Sequence, residues 1–350
     1  MLTQVLLQLT VVVTLLVLVS IGLFVGRYRL RDTRTEWRAR VRAAAPVTAL
    51  LAAVLLFNSV ARQYGPDVSW MIHWNLTWPI YDVEGEFILW LQSFEAPAIT
   101  AYFSFIYIYG YVFLLVFPVI AYFALSNTRP LRELLTAYTL NYVLGLGIYV
   151  FIVAYGPRNM MPELVDALLY DTYPQYQHLT RQVNRNTNVF PSLHTSLAAT
   201  VTFLAFRTRA IYPKWFLLAT GLGVSVAIST MYLGIHWVID VVAGIVLAYI
   251  CVALAGVLVG RWSLTDWIAT LQGSSTGADG RSRPDTGVAS SSDAGAVSAD
   301  SSPSEEASEP ARSESGSGTR SDPDAEPDSD PDPDTEPDPD SDPDPSGPRA

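Results

Sequence analysis

Residues 229–244 read STMYLGIHWVIDVVAG, and they join two long apolar runs, 215–234 and 237–259, through a tight turn at Gly234. Each run approaches the ~20 residues that a helix needs to cross a hydrocarbon core about 30 Å thick. The stretch therefore reads as the turn of a helical hairpin in a bilayer. Within it, His236 and Asp240 are four residues apart and share one helix face. Asp240 lies about one turn inside the second run, where an ionisable group is costly, is usually paired and marks a functional position. Its natural partner is His236. A carboxylate bonded to one imidazole nitrogen sets the tautomer and makes the other nitrogen a better base or nucleophile. A structural hydrogen bond between neighbours is the other reading of the pair.

Outward from the hairpin, five more apolar runs occupy 3–25, 45–61, 98–125, 133–155 and 190–206, which makes seven and predicts an all-α polytopic membrane protein. The first lacks a basic leading region, so it reads as a retained helix rather than a signal peptide. It is followed by RYRLRDTRTEWRARVR at 27–42, whose seven arginines the positive-inside rule assigns to a cytoplasmic loop. The same orientation puts Arg129 with Arg132, Arg207 with Arg209 and Lys214, and then Arg261 inside. The N-terminus, 62–97, 156–189 and the Gly234 turn then face out of the cell membrane.

Of the chain's formal charge of −11, residues 1–270 contribute 17 basic and 13 acidic groups, whereas 271–350 contribute 5 and 20. This last part is nearly devoid of large apolar residues and reads as a disordered, cytoplasmic acidic tail. Cys251 is the sole cysteine, which excludes an intrachain disulfide and cysteine metal clusters. Basic residues scattered at membrane edges leave no nucleic-acid footprint. The segment SWMIHWNLTWPIYDVEGEFILWLQSF at 69–94 mixes tryptophans with acids and suits the headgroup boundary. The tyrosine-rich AYFSFIYIYGYVF at 101–113 reads as packing between spans.

A second polar motif opens the fifth run: NVFPSLHTS, residues 188–196. His194 enters the membrane from the same face to which His236 returns, although the two are 42 residues apart. Two histidines and a buried aspartate suit a double displacement in which one ring attacks phosphorus and the other protonates the leaving oxygen. Pro191 is expected to pre-set the first helical turn, and Ser192 to offer a hydroxyl beside unpaired backbone N–H groups that attract anions. Arg158, Arg181 and Arg185, in the loop before this motif, supply guanidinium forks suited to phosphate oxygens.

FPSLH followed by MYLGIHWVID resembles the type 2 phosphatidic acid phosphatase superfamily over roughly residues 45–260. PSLH and the Met-Tyr-Leu run are similar to its inositol phosphorylceramide synthase branch. The resemblance implies a six-helix catalytic bundle at 45–262, preceded by an added N-terminal helix and Arg-rich loop at 1–44, with the tail at 271–350. It further implies His236 as nucleophile through a phosphohistidine, Asp240 as its orienting carboxylate, His194 as the acid and Ser192 as a phosphate contact. Neither a catalytic metal nor another cofactor is implied, and the substrate is a membrane lipid phosphate or phosphodiester. Thr230 stands where the family signature has arginine, and the family's first lysine signature is absent. Arg158 with Arg185 or Arg181 is expected to fill that deficit. Water as acceptor gives a phosphatase, an alcohol a phosphotransferase. The missing signature cations leave a non-catalytic scaffold with an acidic interaction tail as the alternative.

Overall fold

The computed structural model describes residues 2–72, 74–177 and 188–261. The described residues form an all-helical, multi-pass membrane protein whose regular elements are all helices, joined by two single-residue bridges, Asn75 to Val153 and Ala154 to Asn188. In chain order they are α1 (Leu2–Ser20), α2 (Arg27–Ile72), α3 (Thr77–Glu84), α4 (Phe87–Gln92), α5 (Pro97–Phe105), α6 (Tyr111–Phe123), α7 (Arg129–Phe151), α8 (Pro157–Met160), α9 (Leu168–Thr172), α10 (Leu193–Arg207), α11 (Pro213–Tyr232) and α12 (Val238–Arg261). A widened π turn at Ile21–Val25 extends α1, and another at Ile106–Gly110 joins α5 to α6.

Six segments are long and apolar enough to cross a membrane: Thr3–Val25, Arg27–Ala61, Pro97–Phe123, Arg129–Phe151, Pro213–Tyr232 and Val238–Val259. Their outward faces carry large exposed apolar side chains such as Leu56, Phe57, Leu217 and Tyr249, which only lipid would solvate well. The seventh expected span, 190–206, is shorter than its apolar run: α10 has 15 residues, about 22 Å of helix. Pro191 lies outside it, before the N-cap Ser192, so proline does not supply the first turn. This short helix packs against α7, α11 and α12, with nine of its 15 residues buried.

The arginine stretch expected as a loop is helical. No Gly or Pro interrupts 27–45, its Arg, Ala and Leu residues are good helix formers, and α2 runs unbroken for 46 residues, roughly 69 Å. Its cations are used: Arg40, 2% exposed, donates to the Phe123 carbonyl at 3.0 Å and pairs with Glu36 at 2.8 Å, and Arg29 stacks over Tyr212. The expected tail at 271–350 lies outside the described residues, as do Arg181 and Arg185.

The core joins α6, α7, α10 and α11 through Phe113, Phe117, Leu134, Val201, Leu204 and Trp215. Midway along the bundle, Asn141 donates to the Thr200 hydroxyl at 3.0 Å and accepts from Ser196, so α7 and α10 are held in register by satisfied polar groups. That register fixes where α10 begins, and with it the position of His194.

Candidate active site

The end of α11 unwinds at Tyr232–Ile235, where the N–H groups of Ile235 and His236 both donate to the Thr230 carbonyl. Gly234 reverses the chain with φ of 68°, a left-handed conformation that costs glycine least. The chain then enters α12, and Asp240 falls in its first turn. Its Oδ2 accepts the Trp237 N–H at 2.9 Å and lies 3.3 Å from His236 Nδ1. One carboxylate oxygen thus closes the helix start, as the acidic member of a capping box does, and meets the imidazole. His236 is 2% exposed and Asp240 fully buried.

A second carboxylate shares this helix start. Glu84, at the end of α3, accepts from the Val238 N–H at 2.8 Å and from the Ile239 N–H. Burial raises its pKa above the usual carboxylate range; the two N–H groups oppose the rise and the nearby Asp240 charge adds to it. Glu84 arrives on a strap, residues 74–92, tied to the chain after α7 by paired bonds between Trp74, Leu76 and Val153 and by the Tyr155 N–H to the Thr77 hydroxyl. At the far end of the strap, Gln92 donates to the carbonyls of Tyr232 and Asp166. The aromatic segment expected at the headgroup boundary therefore does expose Trp74, Trp78 and Trp90, but its polar residues buttress the His236 turn.

The PSLH motif meets this turn directly. The Ser192 N–H donates to the Asp240 carbonyl at 3.0 Å, which joins the start of α10 to the start of α12. The Ser192 hydroxyl is fully buried; it accepts from the Thr195 N–H at 3.3 Å and bonds the Thr195 hydroxyl at 3.0 Å, so it caps its own helix. His194, in the first turn of α10, has its ring 6.4 Å from that of His236, centroid to centroid. Tyr107 stacks on the His194 ring at 4.9 Å and Tyr111 leans on it at 4.6 Å.

Arg158 completes the group. Its N–H donates to the Gly234 carbonyl at 3.2 Å, and a Cβ at Gly156 would lie 2.4 Å from the Ile235 carbonyl oxygen, so the loop can press on the turn only with glycine there. The Arg158 guanidinium lies over the Tyr170 ring at 4.7 Å. Its buried Nη1 has no hydrogen-bond partner among the described residues, and neither has the buried Asp240 Oδ1. Unpaired atoms of buried ionisable groups are expensive unless a ligand or reaction uses them.

The structure thus brings together His194, His236, Asp240, Ser192 and Arg158. Sequence reasoning missed Glu84, Gln92, Tyr107 and Tyr111. The first two were hidden in an interfacial segment and the tyrosines in a run assigned to packing. Among the described residues no three His, Cys, Asp or Glu side chains converge as a metal-binding group.

Residues 82–254 match the PAP2 superfamily. An uncharacterised protein of Methanocaldococcus jannaschii is 26% identical over 169 residues, covering 47% of this chain and 64% of that protein. The chain therefore aligns with less than two thirds of that relative's length. No solved structure is detectably similar. The match runs from the strap that carries Glu84 to the last turns of α12 and so encloses both histidine motifs: residues 82–254 are a PAP2 superfamily domain.

Proposed function

We propose that the protein is an integral-membrane lipid phosphatase or phosphotransferase that works through a phosphohistidine at His236, without a catalytic metal. The observation that carries this reading is the 6.4 Å separation of the two histidine rings, with Asp240 on Nδ1 of one of them. Rings this close let one attack a phosphoryl group while the other meets its leaving oxygen, as in-line transfer requires.

Asp240 holds the His236 Nδ1–H, which leaves Nε2 as the nucleophile. In the first step a P–N bond forms as the P–O bond to the leaving alcohol breaks, and His194 gives its proton to that oxygen. In the second, His194 takes the proton of an incoming water or alcohol, whose oxygen attacks phosphorus as the P–N bond breaks. Arg158, with an unpaired Nη1, binds phosphate oxygens, and Arg181 and Arg185 of the preceding loop are assigned the same task. Ser192 acts by capping α10 and holding its first turn against Asp240.

The PSLH and Met-Tyr-Leu features support an alcohol acceptor, hence transfer of a polar headgroup phosphate in the manner of an inositolphosphotransferase. The positive-inside assignment supports a site on the outer face of the cell membrane, with the acidic tail inside. Purified protein in detergent should release phosphate from a lipid phosphate monoester or exchange its headgroup with an added alcohol. His236→Ala should lower either rate by roughly a thousandfold or more. Unchanged turnover in that variant would refute the mechanism.

A further inference from the structure

We propose that the Tyr107 hydroxyl is a phosphate ligand, donating a hydrogen bond to a non-bridging oxygen of the group held between His194 and His236. This rests on the double-histidine reading above and adds a residue to it.

A transferring phosphoryl group presents three non-bridging oxygens, and inside a membrane protein each needs a donor. Among the described residues Arg158 is the one guanidinium at this end of the bundle with an unpaired nitrogen. Tyr107 comes from the π turn at Ile106–Gly110, a rare local geometry that concentrates at functional sites. Its ring is 7% exposed and lies nearly flat on His194, with 29° between the planes.

Nearby tyrosine hydroxyls are occupied. Tyr109 bonds Tyr176 at 2.8 Å, Tyr149 donates to the Pro191 carbonyl at 3.0 Å, and Tyr138 donates to the Leu115 carbonyl at 3.1 Å. No hydrogen bond among the described residues uses the Tyr107 hydroxyl. Its electrostatic neighbours include Arg158, with Tyr170 and Tyr149. The neighbours of Tyr111 are the tyrosines 142, 107, 138 and 149, with no cation among them. Of the two rings on His194, Tyr107 is thus the one that interacts with the Arg158 guanidinium.

Tyr107→Phe removes the hydroxyl and keeps the stack, and Tyr102→Phe, at an exposed tyrosine of α5 bonded to Ser225, is the control. With full-length protein in detergent, phosphate release from dioleoyl phosphatidic acid and inhibition by orthovanadate are measured for both. Tyr107→Phe should lower kcat/KM and weaken vanadate inhibition roughly 10- to 100-fold, the effect of losing a hydrogen bond to a charged group. Tyr102→Phe should stay within about threefold of wild type. Wild-type behaviour of Tyr107→Phe on both readouts overturns this assignment alone; a wild-type protein that neither hydrolyses the lipid nor responds to vanadate overturns the histidine reading and this one with it. Should Tyr107→Phe fail to fold, 3-fluorotyrosine at position 107 gives the same decision. Its fluorine resonance should move on addition of vanadate, and a fixed resonance beside a vanadate-inhibited enzyme counts against the proposal.

Discussion

The two ends of the bundle treat buried charge in opposite ways. At the arginine end, Glu133 lies between Arg129 at 2.7 Å and Arg207 at 3.5 Å. The spare donors there bond helix carbonyls: Arg207 on Val252, Arg132 on Val259 and Arg40 on Phe123. At the histidine end, Asp240 Oδ1 and Arg158 Nη1 are buried and unpaired. The three other buried unpaired side-chain atoms among the described residues, in Asn58, Ser104 and Trp215, belong to neutral groups. A site that only stabilised the fold would be expected to pair its ions as the arginine end does. The unpaired Arg158 Nη1 is a donor that a reacting anion would fill, while the Asp240 carboxylate serves the His236 ring.

The contrast is broken most severely by Asp240→Asn, which keeps the size of the side chain but weakens its hold on the His236 Nδ1–H. Turnover should fall by roughly a hundredfold or more at nearly unchanged stability, measured by phosphate release and by thermal unfolding. An equal loss of folded protein instead would make Asp240 a capping residue alone.

Glu84 sharpens the comparison, because it is a carboxylate at the histidine end whose oxygens are used. Its folded pKa lies above the ordinary 4.5, so its protonated form is favoured in the native state. The stability linked to that proton is present below the unfolded pKa and is lost as pH rises through the higher folded value. Unfolding temperatures of wild type and Glu84→Gln, compared from pH 4 upward, should therefore shift in favour of the variant as pH rises. A difference that does not vary with pH would contradict the assignment.

The smallest effect on chemistry belongs to the other end. Glu133→Gln should reduce stability by about 1 kcal/mol, since both arginine partners are substantially exposed, and leave turnover per folded molecule unchanged. A loss of activity comparable to that of Asp240→Asn would erase the distinction between the two ends.

Local patterns carried much of this into view. The apolar runs announced a polytopic helical protein, and the i to i+4 spacing of His236 and Asp240 survives as a 3.3 Å contact. The proximity of His194 to His236 followed from counting membrane crossings rather than from any local signal. What stayed illegible depends on contacts between distant residues. Seven arginines predict a cytoplasmic segment whether it is loop or helix, and the partners that make α2 a packed helix, Phe123 and Tyr212, lie 83 and 183 residues from Arg40 and Arg29. Glu84 reaches 154 residues forward to Val238, and nothing in YDVEGEF marks it apart from Asp82 or Glu86. Tyr107 looked like packing because it is packing on one face; only the identity of the ring beneath it, His194, gives it another role.

The central claim is that His236 becomes covalently phosphorylated between the two rings. Rapid mixing of the purified protein with a lipid phosphate labelled on phosphorus, followed by alkaline quenching, should trap an acid-labile, base-stable phosphate on His236. The label should build up when His194 is replaced by alanine and a substrate with a good leaving group is used. Turnover of the wild type with no label on His236 under any quench, or with the label on another residue, would contradict the account.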